Sequence, residues 1–142
     1  MTVEQDNTYV LFPMGEKRFA FHASMVEELA RPDRLQTFPH RTPLLAGVLV
    51  KRGKIVPVLD VARLLVGPQA PSRKFYLITK RKLDAGREWT AIPVTGECEL
   101  ANLSPVAAQE PHPDYVTGLL MAGDEPVEIV DLEKLVAQEA TV

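Results

Sequence analysis

The chain has 142 residues, 46% of them hydrophobic and 25% charged, enough for one well-cored globular domain and too few for two of ordinary size. Its net charge of −3 argues against a dedicated nucleic-acid binder, and no apolar run approaches the roughly 18 residues of a membrane span. The single cysteine, Cys98, excludes an internal disulfide. The amino terminus, "MTVEQDNTYV", is polar and has none of the basic and apolar regions of a secretory signal, so a cytoplasmic protein is expected.

Twelve prolines and eight glycines interrupt the chain every several residues and disfavour long helices. Between them, in chain order, lie "TYVLFP" (8–13), "RFAFH" (18–22), "AGVLV" (46–50), "KIVPVL" (54–59), "KFYLIT" (74–79), "EWTAIPV" (88–94) and "VEIV" (127–130). These runs are short and rich in Val, Ile, Phe and Tyr, which predicts strands. "VARLLV" (61–66) has room for a helical turn or two, and "LEKLVAQEA" (132–140) predicts a short C-terminal helix. The expected class is all-β, built as small barrels or a sandwich.

The chain contains a repeat. "AGVLVKRGKIVPVLDVARLL" (46–65) lies without a gap on "TGLLMAGDEPVEIVDLEKLV" (117–136), with Gly47 on Gly118, Asp60 on Asp131 and Arg63 on Lys134 at a constant offset of 71. Upstream, "RFAFHAS" (18–24) falls on "EWTAIPV" within one position. Two equivalent halves are expected, about 8–66 and 74–138, each a barrel of about five short strands. The linker falls near "GPQAPSR" (67–73), rich in turn formers, and exchange of strands between the halves is left open.

Asp60 and Asp131 each follow a strand and precede an apolar helical run, the place of an N-cap whose carboxylate accepts a free backbone N–H. Pro57, three residues before Asp60, removes a ladder donor, so its strand is expected at an edge or paired on one side there. One aspartate per half also admits a hydrolase of the aspartic-protease kind, which needs the two carboxylates about 3 Å apart. The bulky, helix-forming residues that follow, Val61-Ala62 and Leu132-Glu133, disfavour that approach, and capping is the preferred reading. His22, His40 and His112 lack short ligand spacing and no glycine-rich phosphate loop is present, so neither metal nor cofactor is expected. Cys98, between glutamates in "GECEL", reads as a small apolar residue pointing inward from a strand.

Two basic clusters remain, "KRGK" (51–54) and "KRK" (80–82). They read as solvated turns, or as the edge of a small-barrel nucleic-acid-binding module, for which an aromatic content of 6% offers few stacking residues. In the repeat, Arg52 falls on Gly123 and Gly53 on Asp124. An arginine present in one of two equivalent turns is not demanded by the turn, which favours a binding role for Arg52. Gly53 suits the positive φ of a tight hairpin, leaving Arg52 at an exposed apex.

"YVLFPMGEKRFAF" (9–21), "MVEELA" (25–30), "FPHRTPLLAGVL" (38–49), "RGKIVPVLDV" (52–61) and "YVTGLLMAGDEPVEIVDLEKLV" (115–136), in this order and spacing, resemble the CheW family of chemotaxis coupling proteins. The fourth segment matches that family's Arg-Gly-x-x-x-Pro-Val-x-Asp-Leu signature, although Val50-Lys51 stands where the family usually carries Asn-Leu. The resemblance implies two five-stranded SH3-like β-barrels packed around a shared hydrophobic interior, with a short C-terminal helix. It implies a non-catalytic adaptor in chemosensory signal transduction. Its partners would be the regulatory domain of a CheA-type histidine kinase, which has the same fold, and the cytoplasmic tip of a methyl-accepting chemoreceptor, which would recruit it to arrays at the inner membrane. By the same resemblance, Val26 and Glu28 face the receptor in a groove between the barrels, and Arg52 with Gly53 forms the signature turn beside it. Pro57, Val58 and Asp60 take structural positions. A detached kinase regulatory domain of the same fold is the alternative within this class.

Overall fold

The computed structural model describes residues 7–30, 44–67, 72–83 and 86–140; His40, the proline loop around it and the centre of the expected linker, 68–71, lie outside these. Among the described residues ten strands and two helices follow one another: β1 (Thr8–Met14), β2 (Lys17–His22), a 3₁₀ turn (Ala23–Met25), β3 (Val26–Ala30), β4 (Leu45–Lys51), β5 (Lys54–Leu59) and α1 (Ala62–Val66). The second series is β6 (Phe75–Leu83), β7 (Gly86–Val94), β8 (Glu99–Asn102), β9 (Val116–Ala122), β10 (Glu125–Val130) and α2 (Leu132–Ala140).

The strands form two five-stranded mixed sheets, ordered β8-β1-β2-β10-β9 and β3-β6-β7-β5-β4. The fold is mostly β, as expected, but the barrels are not closed by backbone pairing. In the first sheet the closing contact is a single bridge, in which Val106, beyond β8, exchanges two 2.8 Å backbone hydrogen bonds with Leu119 of β9. Gly118 permits this approach, because a Cβ there would lie 3.1 Å from the Val106 carbonyl oxygen.

Each sheet takes strands from both repeats. The β1–β2 hairpin joins β9–β10 through the parallel pairs Phe19↔Glu128 and Ala20↔Ile129. The β4–β5 hairpin joins β6–β7 through the single parallel pair Val58↔Ala91. The two junctions are equivalent at the offset of 71, and the pair missing from the second falls at Pro57, the counterpart of Glu128. Proline has no N–H to give to a ladder, so β5, an interior strand, is held on its β7 side by less than β10 is held by β2.

The apolar runs are continuous because many strands are buried on both faces. Tyr9, Leu11 and Ala20 face a core inside the first sheet with Leu120, Val127 and Ile129. Leu49, Val56, Val58, Ile78 and Ala91 fill the second. The alternate residues Val10, Phe12, Met14, Phe19 and Phe21 point into a third core shared by the sheets, with Leu77, Ile92, Leu132 and Leu135. There the rings of Phe12 and Phe21 stack with centroids 4.7 Å apart.

The aspartates diverge. Both backbone N–H groups make the same 2.8 Å bond, Asp60 to the Leu44 carbonyl and Asp131 to that of Tyr115. Asp131 Oδ1 then accepts the Lys134 N–H at 3.1 Å, in the first turn of α2. In the first repeat the N-cap position of α1 falls on Val61, which makes no side-chain cap bond, and the bond into the first helical turn comes from Asp60, one residue earlier. Asp60 accepts the Ala62 N–H at 3.3 Å, but its two oxygens are also forked by Arg73, with Nε 3.1 Å from Oδ1 and Nη2 on Oδ2. A five-residue helix exposes little dipole to reward a capping carboxylate, whereas a guanidinium fork engages both oxygens.

Candidate functional site

The pair Lys51↔Lys54 closes the β4–β5 ladder and leaves Arg52 and Gly53 as a two-residue turn. Their φ values, +53° and +76°, match the type I′ turn that suits twisted hairpins. Arg52 is the one non-glycine residue with positive φ among the described residues, a conformation that costs an L side chain about 1–2 kcal/mol.

The Arg52 side chain, 60% exposed, reaches across the seam of the second sheet. Its Nη2 donates to Glu28 Oε1 at 2.5 Å, and Lys51 Nζ lies 3.3 Å from Glu28 Oε2. Glu28 belongs to β3 and Lys51 to β4, the two outer strands of that sheet, so one carboxylate bridges the edges that backbone pairing leaves open. Beside it stands Trp89 of β7, with the Arg52 guanidinium 5.7 Å and the Lys54 ammonium 4.7 Å from its ring centre, within cation–π range.

Val26 is placed elsewhere. The register of β3 against β6 shifts between Val26↔Thr79 and Glu28↔Ile78, which makes Glu27 an extra residue in the manner of a β-bulge. In a regular strand Val26 and Glu28 would share a face; here Val26 shares one with Leu29. These two line a groove of about 210 Å³ between the sheets, together with Val10, Leu77, Cys98 and Leu100. The groove is built from matching pieces, since Leu29 pairs with Leu77 and Leu100 with Val10. The structure thus brings Glu28, Arg52 and Gly53 together and sets Val26 in a neighbouring apolar groove. Cys98 stands just before β8, and burial pushes its thiol up to about 12.

The sequence reading missed Trp89. The junction pairs fix the strand alignment at an offset of 71, which sets Trp89 on Arg18, and that single-position adjustment was the available signal. Among the described residues no group of three or more His, Cys, Asp or Glu could hold a metal ion, and no helix is long and apolar enough to cross a membrane.

Residues 8–140 match the CheW-like domain family. The chain belongs to that family. It is 26% identical over 145 residues to a chemotaxis protein CheW of Klebsiella aerogenes, covering 97% of this chain and 85% of that one. To a probable chemotaxis protein CheW of Rhizobium etli it is 22% identical over 138 residues, covering 94% and 89%. The crystal structure of the scaffolding protein TtCheW from Thermoanaerobacter tengcongensis superposes with a TM-score of 0.73 at 20% identity, covering 90% of this chain and 86% of that one, which establishes the same fold. This CheW-like protein is a non-catalytic scaffold of chemotaxis signalling.

Proposed function

We propose that this protein couples the cytoplasmic tip of a methyl-accepting chemoreceptor to the regulatory domain of a CheA-type histidine kinase, and reaches arrays at the inner membrane through the receptor. The observation that carries the reading is Arg52, held with positive φ at the rim of the second sheet where a glycine would serve the turn at lower cost. A receptor tip is a helical hairpin offering carboxylates, backbone carbonyls and an apolar stripe. The stripe fits the groove walled by Val26, Leu29 and Leu100 in the helix-in-groove manner. Arg52 supplies a fork that a lysine cannot copy, Gly53 lets the turn present it, and Glu28 holds it at the rim.

The kinase regulatory domain, built on the same sheets, docks on a different surface, so both partners bind at once. A pull-down with purified receptor tip and kinase regulatory domain tests this. A ternary complex is expected; strict competition between the two would reduce the protein to a single-partner module.

A further inference from the structure

At the outer rim of the second sheet a depression of about 310 Å³ is lined by Lys54, Ile55, Lys80, Glu88 and Trp89. The repeat shows the same frame with its central charges paired. In the first sheet Arg18 holds the place of Trp89, Glu125 that of Lys54 and Glu99 that of Glu28. Arg18 Nη2 lies 2.7 Å from Glu125 and Nη1 3.4 Å from Glu99, and the Arg18 guanidinium holds the Glu125 carboxyl below its ordinary range. That end is neutralised by its own chain.

In the second sheet the central arginine is replaced by an indole and the flanking carboxylate by a lysine. Glu28 is already shared by Lys51 and Arg52. Among the described residues, the Lys54 ammonium is in contact with the Trp89 ring at 4.7 Å and with no carboxylate. Lys80 lies 3.6 Å from Glu27, and Glu88 is the one acid in the lining. Next to Lys54, Ile55 is 71% exposed, and its cross-strand neighbour Val50 is 59% exposed. Both arrangements sit on equivalent backbone, so the fold does not require a cation, an indole and two uncovered aliphatic side chains at this end.

We propose that this depression docks an acidic segment of a partner protein, one in which an aliphatic side chain is flanked by carboxylates. The carboxylates supply the counter-charge that Lys54 lacks and reach Lys80, while the aliphatic side chain covers Ile55 and the edge of Trp89. A nucleic acid fits less well: sequence-tolerant strand binding stacks successive bases on several aromatic faces, and this site has one, with Glu27 and Glu88 at its margin. The depression shares none of its lining with the apolar groove proposed for the receptor. It does adjoin Arg52, whose guanidinium stands 5.7 Å from the Trp89 ring, and its test uses no receptor, so the two readings fail separately.

Trp89 is the sole tryptophan of the chain, so its emission reports on the site directly. The full-length protein is titrated at low ionic strength with the synthetic peptide acetyl-Glu-Leu-Glu-Glu-Leu-Glu-amide, with its Gln-for-Glu and Lys-for-Glu counterparts, and with oligothymidylate. A saturable change with the acidic peptide is expected, weakening as salt is added and absent with the Gln peptide. Lys54→Glu, exposed and checked for folding by circular dichroism, loses at least about tenfold in affinity for the acidic peptide and gains binding of the Lys peptide. Ile55→Ser weakens binding of the acidic peptide and leaves its salt dependence in place. No saturable change, equal binding of the Gln peptide, or equal or tighter binding of oligothymidylate would each overturn the proposal.

Discussion

Arg52 and Gly123 hold the same place in the two repeats, the first residue of a two-residue hairpin turn, and both have positive φ, +53° and +65°. Glycine adopts this conformation freely, whereas the arginine gives up about 1–2 kcal/mol. The ion pair with Glu28, between side chains 60% and 21% exposed, returns only about 0.2–1 kcal/mol. The cation–π contact with Trp89 adds about 0.5–1 kcal/mol, so the intramolecular contacts together do no more than offset the backbone cost and give arginine no stability advantage over glycine at this position.

Arg52→Gly relieves the backbone and adds about 0.4–1 kcal/mol of unfolded-chain entropy to be lost on folding. Its folding stability is expected within about 1 kcal/mol of the parent, and Arg52→Ala, which keeps the strain without the ion pair, is expected below Arg52→Gly. Denaturant titration measures both. A loss well beyond this for Arg52→Gly would make the arginine a structural residue.

The two aspartates should separate by the same measurement. Asp131→Ala loses one bond to the first turn of α2 and should cost about 0.5–2 kcal/mol. Asp60→Ala also releases Arg73, so a double-mutant cycle between Asp60→Ala and Arg73→Ala should show a coupling of about 0.5–3 kcal/mol that shrinks with added salt. Additive losses would leave Asp60 with only its bond to Ala62.

Cys98 gives a pH signature. Burial raises its thiol from an ordinary value of 9.0 to about 12, so above 9 the unfolded chain releases this proton before the folded one does. The folded state then holds more protons, and the contribution of Cys98 to stability declines as pH rises from about 9 towards 12. Alkylation of the folded protein should be slow at neutral pH and keep accelerating past pH 9, since the thiolate is the reactive form. A rate that levels off near pH 9 would mean an open thiol.

The strands that could be read directly were those buried on two faces, such as β1 and β2, where no polar residue breaks the run. Gly118 and the aspartates marked the repeat because each has a backbone duty, a close approach to Val106 or a bond at the mouth of a helix. Strand β8, "ELAN", went unread because it is a short outer strand with mostly exposed side chains, and such strands carry little apolar signal. Which hairpin pairs with which is decided by residues far apart in sequence, so the exchange of strands between repeats had no local signature. The register shift at Glu27, which moves Val26 away from Glu28, leaves no mark in composition either, and it redraws the site.

If Arg52 serves a partner, replacing it must weaken receptor binding without unfolding the protein. Calorimetric titration of a receptor tip into the parent and into folded Arg52→Gly tests this most directly. Removing a charge-assisted hydrogen bond from an interface costs about 1.5–3 kcal/mol, so affinity is expected to fall by at least about tenfold while kinase-domain binding is unchanged. Unchanged receptor affinity in a well-folded Arg52→Gly protein would contradict the account and leave the turn as a solvated one.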